Sequence, residues 1–183
     1  DTASYATAIG AVTVNLSLQG SAQNTGAAGN DTLISIENLI GTPDSDTLTG
    51  DGNANVLNGG GGVDTLSGLG GDDVLVIAEP LTSPASGSVD GGDGNDTLQL
   101  SSDFDQFLWL WTFTSIERLS ITSNAFYYLS PEANLPANLA VEGSGSGSFA
   151  VRGFPPGGLR PEPASDRESR SARTGPSVRP RGR

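Results

Sequence analysis

The chain has no cysteine, no histidine and no methionine, and all its basic residues are arginine. The missing cysteines exclude disulfide staples and thiolate metal sites. The missing histidines exclude Ser–His–Asp and Cys–His nucleophiles and every imidazole-ligated metal centre. What remains is carboxylate chemistry. Acid pairs such as Asp72–Asp73 and Asp44–Asp46 are present, and paired carboxylates can hydrolyse glycosides. Here they fall in a repeating register that metal ligation explains, so the chain is read as a non-enzyme with no catalytic residue. Long apolar runs are absent too. None reaches the ~18 residues of a membrane span, and no N-terminal signal peptide is visible. The first residue is Asp, not Met. The chain is therefore read as part of a longer protein, whose remainder can hold a catalytic domain.

Positive charge is scarce over most of the length. Residues 1–159 set 18 acids against Arg118 and Arg152, a net −16. Residues 160–183 set seven arginines against three acids, a net +4, which leaves −12 overall. Nucleic-acid binding wants clustered cations, so no nucleic-acid partner is expected of the acidic body. That body suits a cation-binding scaffold whose elements repel one another until metal arrives.

Glycine is abundant, at 26 of 183 residues, about twice the usual ~7%. Scattered glycine with few apolar residues would indicate disorder. These glycines are in register. Residues 41–76 divide into lines of nine: GTPDSDTLT, GDGNANVLN, GGGGVDTLS and GLGGDDVLV. Gly41, Gly50, Gly59 and Gly68 open the lines. Asp46, Asn55, Asp64 and Asp73 hold the sixth place, and Leu48, Leu57, Leu66 and Leu75 the eighth. This pattern resembles the nine-residue consensus of calcium-binding parallel β-helix repeats.

The residue types explain themselves. Glycine reaches positive φ freely and lets backbones approach. A glycine turn ending in Asp offers carbonyl and carboxylate oxygens together, the hard ligands that Ca2+ takes in sets of six to eight. The last three residues of each line read as a short strand with the Leu facing inward. One Leu per nine residues makes a core only if coils stack. Two strands and two turns make an eighteen-residue coil, so turn 41–46 should stack on 59–64, and 50–55 on 68–73. Asp46, Asp64, Asp73 and Asp96 are the expected carboxylate ligands. Gly59, Gly61, Gly68, Gly70 and Gly91 are expected to add carbonyls. Asp31, Asn55 and Asp93 are further candidates, and the neutral Asn55 should bind more weakly.

The stretch resembles the RTX, or hemolysin-type, calcium-binding repeats of secreted bacterial toxins, proteases, lipases and adhesins. GGDGNDTLQ at 91–99 and GGGGVDTLS at 59–67 fit the pattern at every fixed place. GTPDSDTLT departs from it at Pro43 and Asp44, and GDGNANVLN at Asn53 and Asn55. The resemblance implies Ca2+ as cofactor, folding upon binding it, and an extracellular location reached by type I secretion with a C-terminal signal.

The expected fold is all-β: a parallel β-roll or β-solenoid with short irregular β flanks and a disordered C-terminal tail. Residues 1–40 form a lead-in and cap, with Val12, Val14, Leu16 and Leu18 on one strand face. Within them, residues 26–34 read as an early repeat unit, with Gly26, Gly29, Asp31 and Leu33 in place. The roll covers 41–99. Asp73 and Asp96 stand one coil plus five residues apart, and Pro80 and Pro84 suit a loop that bulges between them. Residues 100–152 continue as irregular solenoid, with Phe107, Trp109, Trp111 and Phe113 along one strand face. Ser115-Ile116-Glu117-Arg118-Leu119 echoes Ser35-Ile36-Glu37-Asn38-Leu39. Residues 153–183, rich in Pro, Arg and Ser, read as tail, and their Arg density departs from secretion signals of the resembled family. A competing function is glycan binding or cell-surface adhesion through Trp109 and Trp111, whose rings would stack on sugars. A metal-free structural solenoid is disfavoured, because an unpaired row of carboxylates would only repel.

Overall fold

The computed structural model describes residues 1–78, 86–101, 106–108, 111–122, 126–129, 140–143 and 148–151. The bulge around Pro80 and Pro84, Trp109 and the expected tail lie outside them. In chain order the strands are β1 (Thr2–Ser4), β2 (Thr13–Asn15), β3 (Ala22–Asn24), β4 (Asn30–Thr32), β5 (Asn38–Ile40), β6 (Thr47–Thr49), β7 (Val56–Asn58), β8 (Thr65–Gly70) and β9 (Val74–Ile77). There follow β10 (Ser88–Asp93), β11 (Thr97–Leu100), β12 (Gln106–Leu108), β13 (Thr112–Thr114), β14 (Arg118–Ile121), β15 (Phe126–Leu129), β16 (Ala140–Gly143) and β17 (Ser148–Val151). A 3-10 turn, Leu16–Leu18, follows β2, so the strand expected through Leu18 ends at Asn15 and Leu18 is exposed.

Short strands of the Thr-Leu-Thr type place one side chain inward and two outward, and the chain stacks them in alternation. One sheet has the order β1-β5-β7-β9-β11-β14-β16, the other β13-β10-β8-β6-β2, and every neighbour pair in both is parallel. Register keeps the inward residues in rows. Leu39, Leu57, Leu75, Leu98 and Leu119 line one sheet, and Val14, Leu48, Leu66, Val89 and Phe113 the other. All ten are buried. Burying one such side chain stabilises by about 1.5–3 kcal/mol. A single three-residue strand could not hold itself on that; the continuous double row can. This is the expected β-roll.

The eighteen-residue offset holds from β5 to β9. It becomes 23 where β9 pairs with β11, Val74 opposite Thr97, and the rows of Leu stay in register across the insertion. The stack also runs past both ends of the nine-residue period, since β1 and β2 pair with β5 and β6, and β13 and β14 with β10 and β11.

Two expectations are corrected. Residues 26–34 are not a coil of the roll. β3 and β4 form an antiparallel ribbon, Gln23 opposite Asp31, and Gly26 and Gly29 turn the chain back on itself. Residues 107–113 are not one strand. β12 pairs with β15 in a third parallel sheet, β12-β15-β17, whereas β13 returns to the sheet of β10. From β11 onward the two-sided roll thus becomes three-sided. Ile77, Leu100 and Ile121 form a second inward row there. Trp111 stacks on Phe113 with ring centroids 6.2 Å apart.

Candidate metal centre

Two sets of turns connect the sheets. Turns 41–46 and 59–64 run towards the five-stranded sheet. Turns 50–55, 68–73, 91–96 and 115–117 run towards the seven-stranded one. Each glycine turn ends on its sixth-place residue just before a strand. That position faces inward, so Asp46, Asn55, Asp64, Asp73 and Asp96 are all buried, at 0–2% exposure.

One oxygen of each buried carboxylate has a structural partner. The Asp46 N–H donates to Asp64 Oδ1 at 2.9 Å, Asn55 N–H to Asp73 Oδ1 at 2.7 Å and Asp73 N–H to Asp96 Oδ1 at 2.8 Å. Asp46 Oδ1 likewise accepts from Val12 N–H at 2.7 Å. The carboxylates therefore tie each turn to the preceding turn on the same side. The expected pairs Asp46/Asp64, Asn55/Asp73 and, across the insertion, Asp73/Asp96 are all brought together.

The other oxygen points at the opening glycine of its own turn. A β-carbon at Gly41 would overlap Asp46 Oδ2 and the Gly59 carbonyl, at less than the 3.0 Å that real β-carbons keep. At Gly50 it would overlap Asn55 Oδ1 and Gly68 O, at Gly68 Asp73 Oδ2 and Gly91 O, and at Gly91 Asp96 Oδ2 and Ser115 O. Four cradles result, each bounded by one sixth-place side-chain oxygen and one carbonyl of the following turn. The absent side chain of the first glycine leaves room for them, a use of glycine distinct from its positive φ.

The partners inside the cradles differ. Asp46 Oδ2 accepts from Thr42 N–H, and Asn55 Oδ1 from Asp51 N–H at 2.8 Å. Asp73 Oδ2 and Asp96 Oδ2 are buried with no partner at all. A buried carboxylate oxygen without a donor is costly. Burial accordingly pushes the Asp64 carboxyl up to about 7 and Asp73 up to about 6, against the pull of the N–H groups they accept from. Burial also raises Asp96. Among the described residues no three carboxylates converge, so a cation here would be shared between carboxylate and carbonyl oxygens. That donor set suits Ca2+. Asp46, Asp73 and Asp96 bound cradles that fit it, with the carbonyls of Gly59, Gly91 and Ser115, and Asp64 Oδ2 lies against Gly59.

The remaining candidates are Gly61 and Gly70 within the turns, Asp93 and Asp31. Gly61 and Gly70 donate their N–H groups to Thr42 O and Asp51 O and bound no cradle. The Asp93 side chain is exposed, while its carbonyl accepts from Gly71 N–H at 2.9 Å. Asp31 lies in the antiparallel ribbon and accepts from Thr25 Oγ1 at 2.7 Å; burial first, and then the Asp31 charge and hydrogen bond, push Tyr5 up to about 12. Asp31 is not brought to the turns. Asn55 donates Nδ2 to Glu37 O at 2.8 Å, which a carboxylate could not do. Sequence reasoning missed the first-place glycines Gly41 and Gly50 as cradle walls. It also missed Ser115 and Glu117. The echo of Ser-Ile-Glu at 35–37 and 115–117 was the signal for that pair.

A parallel roll with buried carboxylates stacked at glycine turns defines a cation-binding solenoid. Residues 40–75 and 88–107 match the RTX calcium-binding nonapeptide repeat family, in four copies. The stretch is an RTX repeat array, and such repeats bind Ca2+. No curated protein and no solved structure matches the chain.

Proposed function

We propose that this chain is a calcium-binding module of a secreted bacterial protein, and that it completes its fold on binding calcium outside the cell. The observation that carries the reading is the pair of orphaned oxygens, Asp73 Oδ2 and Asp96 Oδ2, each buried in a cradle with a carbonyl beside it. Calcium supplies the positive charge that both need. Asp73 and Asp96 would then stay ionised in the stacked turns, and Gly91 O and Ser115 O would face the ion instead of a bare carboxylate. With no cysteine, no disulfide shares in holding the coils. Binding free energy becomes folding free energy when the site exists only in the folded chain. Extracellular calcium modules bind at roughly 10⁻⁴–10⁻³ M, above cytosolic calcium, so folding would await export. Export by a type I route accords with the repeat family. The chain is assigned no catalysis of its own.

The competing use of a Trp109/Trp111 face loses Trp111, while Trp109 lies outside the described residues. Trp111 is in the core, 3% exposed and stacked on Phe113, so it presents no face to a sugar. The test is circular dichroism of the full chain in chelator and then in millimolar CaCl2. The β signal should rise with calcium. A complete β spectrum in chelator, unchanged by calcium, would refute the reading.

A further inference from the structure

The family match ends at residue 107 and the nine-residue period at 99, yet the column of turns does not end there. β10 and β13 pair with Asp90 opposite Thr114, which brings Gly91 level with Ser115. β11 and β14 pair with Thr97 opposite Arg118, which brings Asp96 level with Glu117. The six residues 91–96 are thus faced by only three, Ser115-Ile116-Glu117. Ser115 takes φ +51° to make the shorter turn, and Ile116 is buried beneath it.

The functional atoms are nonetheless in the places the glycine turns give them. Ser115 O stands at the Gly91 cradle as Gly91 O stands at Gly68 and Gly68 O at Gly50. Glu117 Oε2 accepts from Asp96 N–H at 2.8 Å, as Asp96 does from Asp73 and Asp73 from Asn55. Glutamate is one methylene longer than aspartate, and the extra reach offsets the missing three residues. The same turn recurs at 35–37. Ser35 has φ +53°, and the N–H groups of Glu37 and Asn38 converge on Asp1 O as those of Glu117 and Arg118 converge on Asp96 O. Ser-Ile-Glu is therefore a turn unit of its own. At 115–117 it meets Asp96 Oδ2, fully buried and without a partner.

We propose that the cation at the Gly91 cradle lies in the gap between Gly91–Asp96 and Ser115–Glu117 and takes the Glu117 carboxylate as a further ligand beside the Asp96 carboxylate and the Ser115 carbonyl. The site lies across the end of the glycine repeats, and its last two ligands come from residues that carry no repeat motif. It rests on the calcium-binding reading above. Because Glu117 also accepts a hydrogen bond, ligand and simple cap must be told apart.

The experiment is calorimetric titration of the chelator-treated full chain with CaCl2, in the wild type, Glu117→Gln and Asp73→Asn. Glu117→Gln keeps an oxygen for the Asp96 N–H and removes the charge. It should bind one ion fewer per chain, or bind one ion at least tenfold more weakly, with the other ions unchanged. An unchanged titration while Asp73→Asn loses affinity would overturn the proposal and leave Glu117 as a cap, with the calcium-binding reading intact. No binding by the wild type would overturn that reading and the proposal together. If Glu117→Gln does not fold in saturating calcium, Glu117→Asp replaces it, keeping the charge but shortening the reach. Loss of one ion there supports the site, and a wild-type count refutes it.

Discussion

Gly68 tests the cradle more directly than any carboxylate does. Gly68→Ala adds one methyl group and changes no charge and no ligand. That methyl would meet Asp73 Oδ2 and Asp73 Cγ on its own turn and Gly91 O, at 2.5 Å, on the next. Real β-carbons keep at least 3.0 Å, so oxygens on both sides must retreat. Forcing a methylene into a filled space costs about 1–3 kcal/mol, and at 1.4 kcal/mol per tenfold this is roughly a 5- to 150-fold loss. The midpoint of calcium-induced folding should rise by that factor. Gly52→Ala is the control, because nothing lies within 4 Å of its β-carbon. Gly→Ala at an unstrained position stabilises by about 0.4–1 kcal/mol through the unfolded chain, so its midpoint should hold or fall. The assay is circular dichroism of chelator-treated protein at increasing CaCl2. Equal midpoints, within twofold, for Gly68→Ala and wild type would show that ions do not enter between the turns.

Charge and ligation separate in a second pair. Asp73→Asn should raise the calcium midpoint, whereas Asp90→Asn, exposed on β10, should leave it or lower it by easing repulsion; equal shifts would refute ligation. In chelator, Asp64 and Asp73 hold protons more tightly in the folded chain, at about 7 and about 6, than when unfolded. Their contribution to metal-free stability is then fullest below about pH 4 and is lost as pH rises through 6 to 7, so chelator-treated protein should show more β signal at pH 4 than at pH 8. A flat profile would count against it. Asn55→Asp should destabilise the calcium-loaded fold by about 1–3 kcal/mol, because it removes the Nδ2–Glu37 hydrogen bond and sets a carboxylate against a carbonyl; urea unfolding in saturating CaCl2 measures this, and unchanged stability would refute it. Hydrogen exchange in chelator should protect the amides of β14 longer than those of β7, and equal protection would contradict a calcium-dependent roll beside a self-supporting segment.

The period of nine made the roll legible because it fixes two things at once. It sets which residue faces inward, and it sets which turn lies over which. Leu39, Leu57 and Leu75 fall in one row for that reason, and Asp46 falls over Asp64. The insertion between Asp73 and Asp96 was readable too, since only a whole coil plus a bulge keeps Leu98 opposite Leu75. Residues 26–34 misled because their Gly, Asp and Leu obey the local spacing. Spacing within nine residues does not distinguish a turn that advances the coil from one that folds back, and the ribbon β3–β4 folds back. The aromatic alternation at 107–113 misled similarly. Alternation says that a residue faces a core, not which sheet its strand joins, and the chain changes sheets between Leu108 and Thr112. Asn55 was read as a weakened Asp, and only the contact with Glu37 O shows why the amide sits there.

The change from two sheets to three explains where the metal-binding turns stop. In the roll, the coil from Val56 to Asp73 buries Leu57 and Leu66 as its apolar side chains, and it buries Asp64 and Asp73 beside them. Polar burial of that kind needs partners, and where the N–H groups run out the partner must be an ion. From β11 the coil from Thr97 to Glu117 buries Leu98, Leu100, Trp111, Phe113 and Ile116. A third sheet widens the interior enough for two aromatic rings, and hydrophobic burial scales with that area. No inward carboxylate is required to position the strands there, and the turn into β14 shrinks to three residues with Glu117 at its end. Glu117 stands at the junction of the two ways of holding a coil. Its carboxylate faces back to Asp96, while the chain that follows it enters β14 through the buried Leu119 and Ile121. On the proposed reading, metal dependence belongs to the thin coils between Gly41 and Glu117 and ends where the apolar interior becomes broad enough to hold the strands itself.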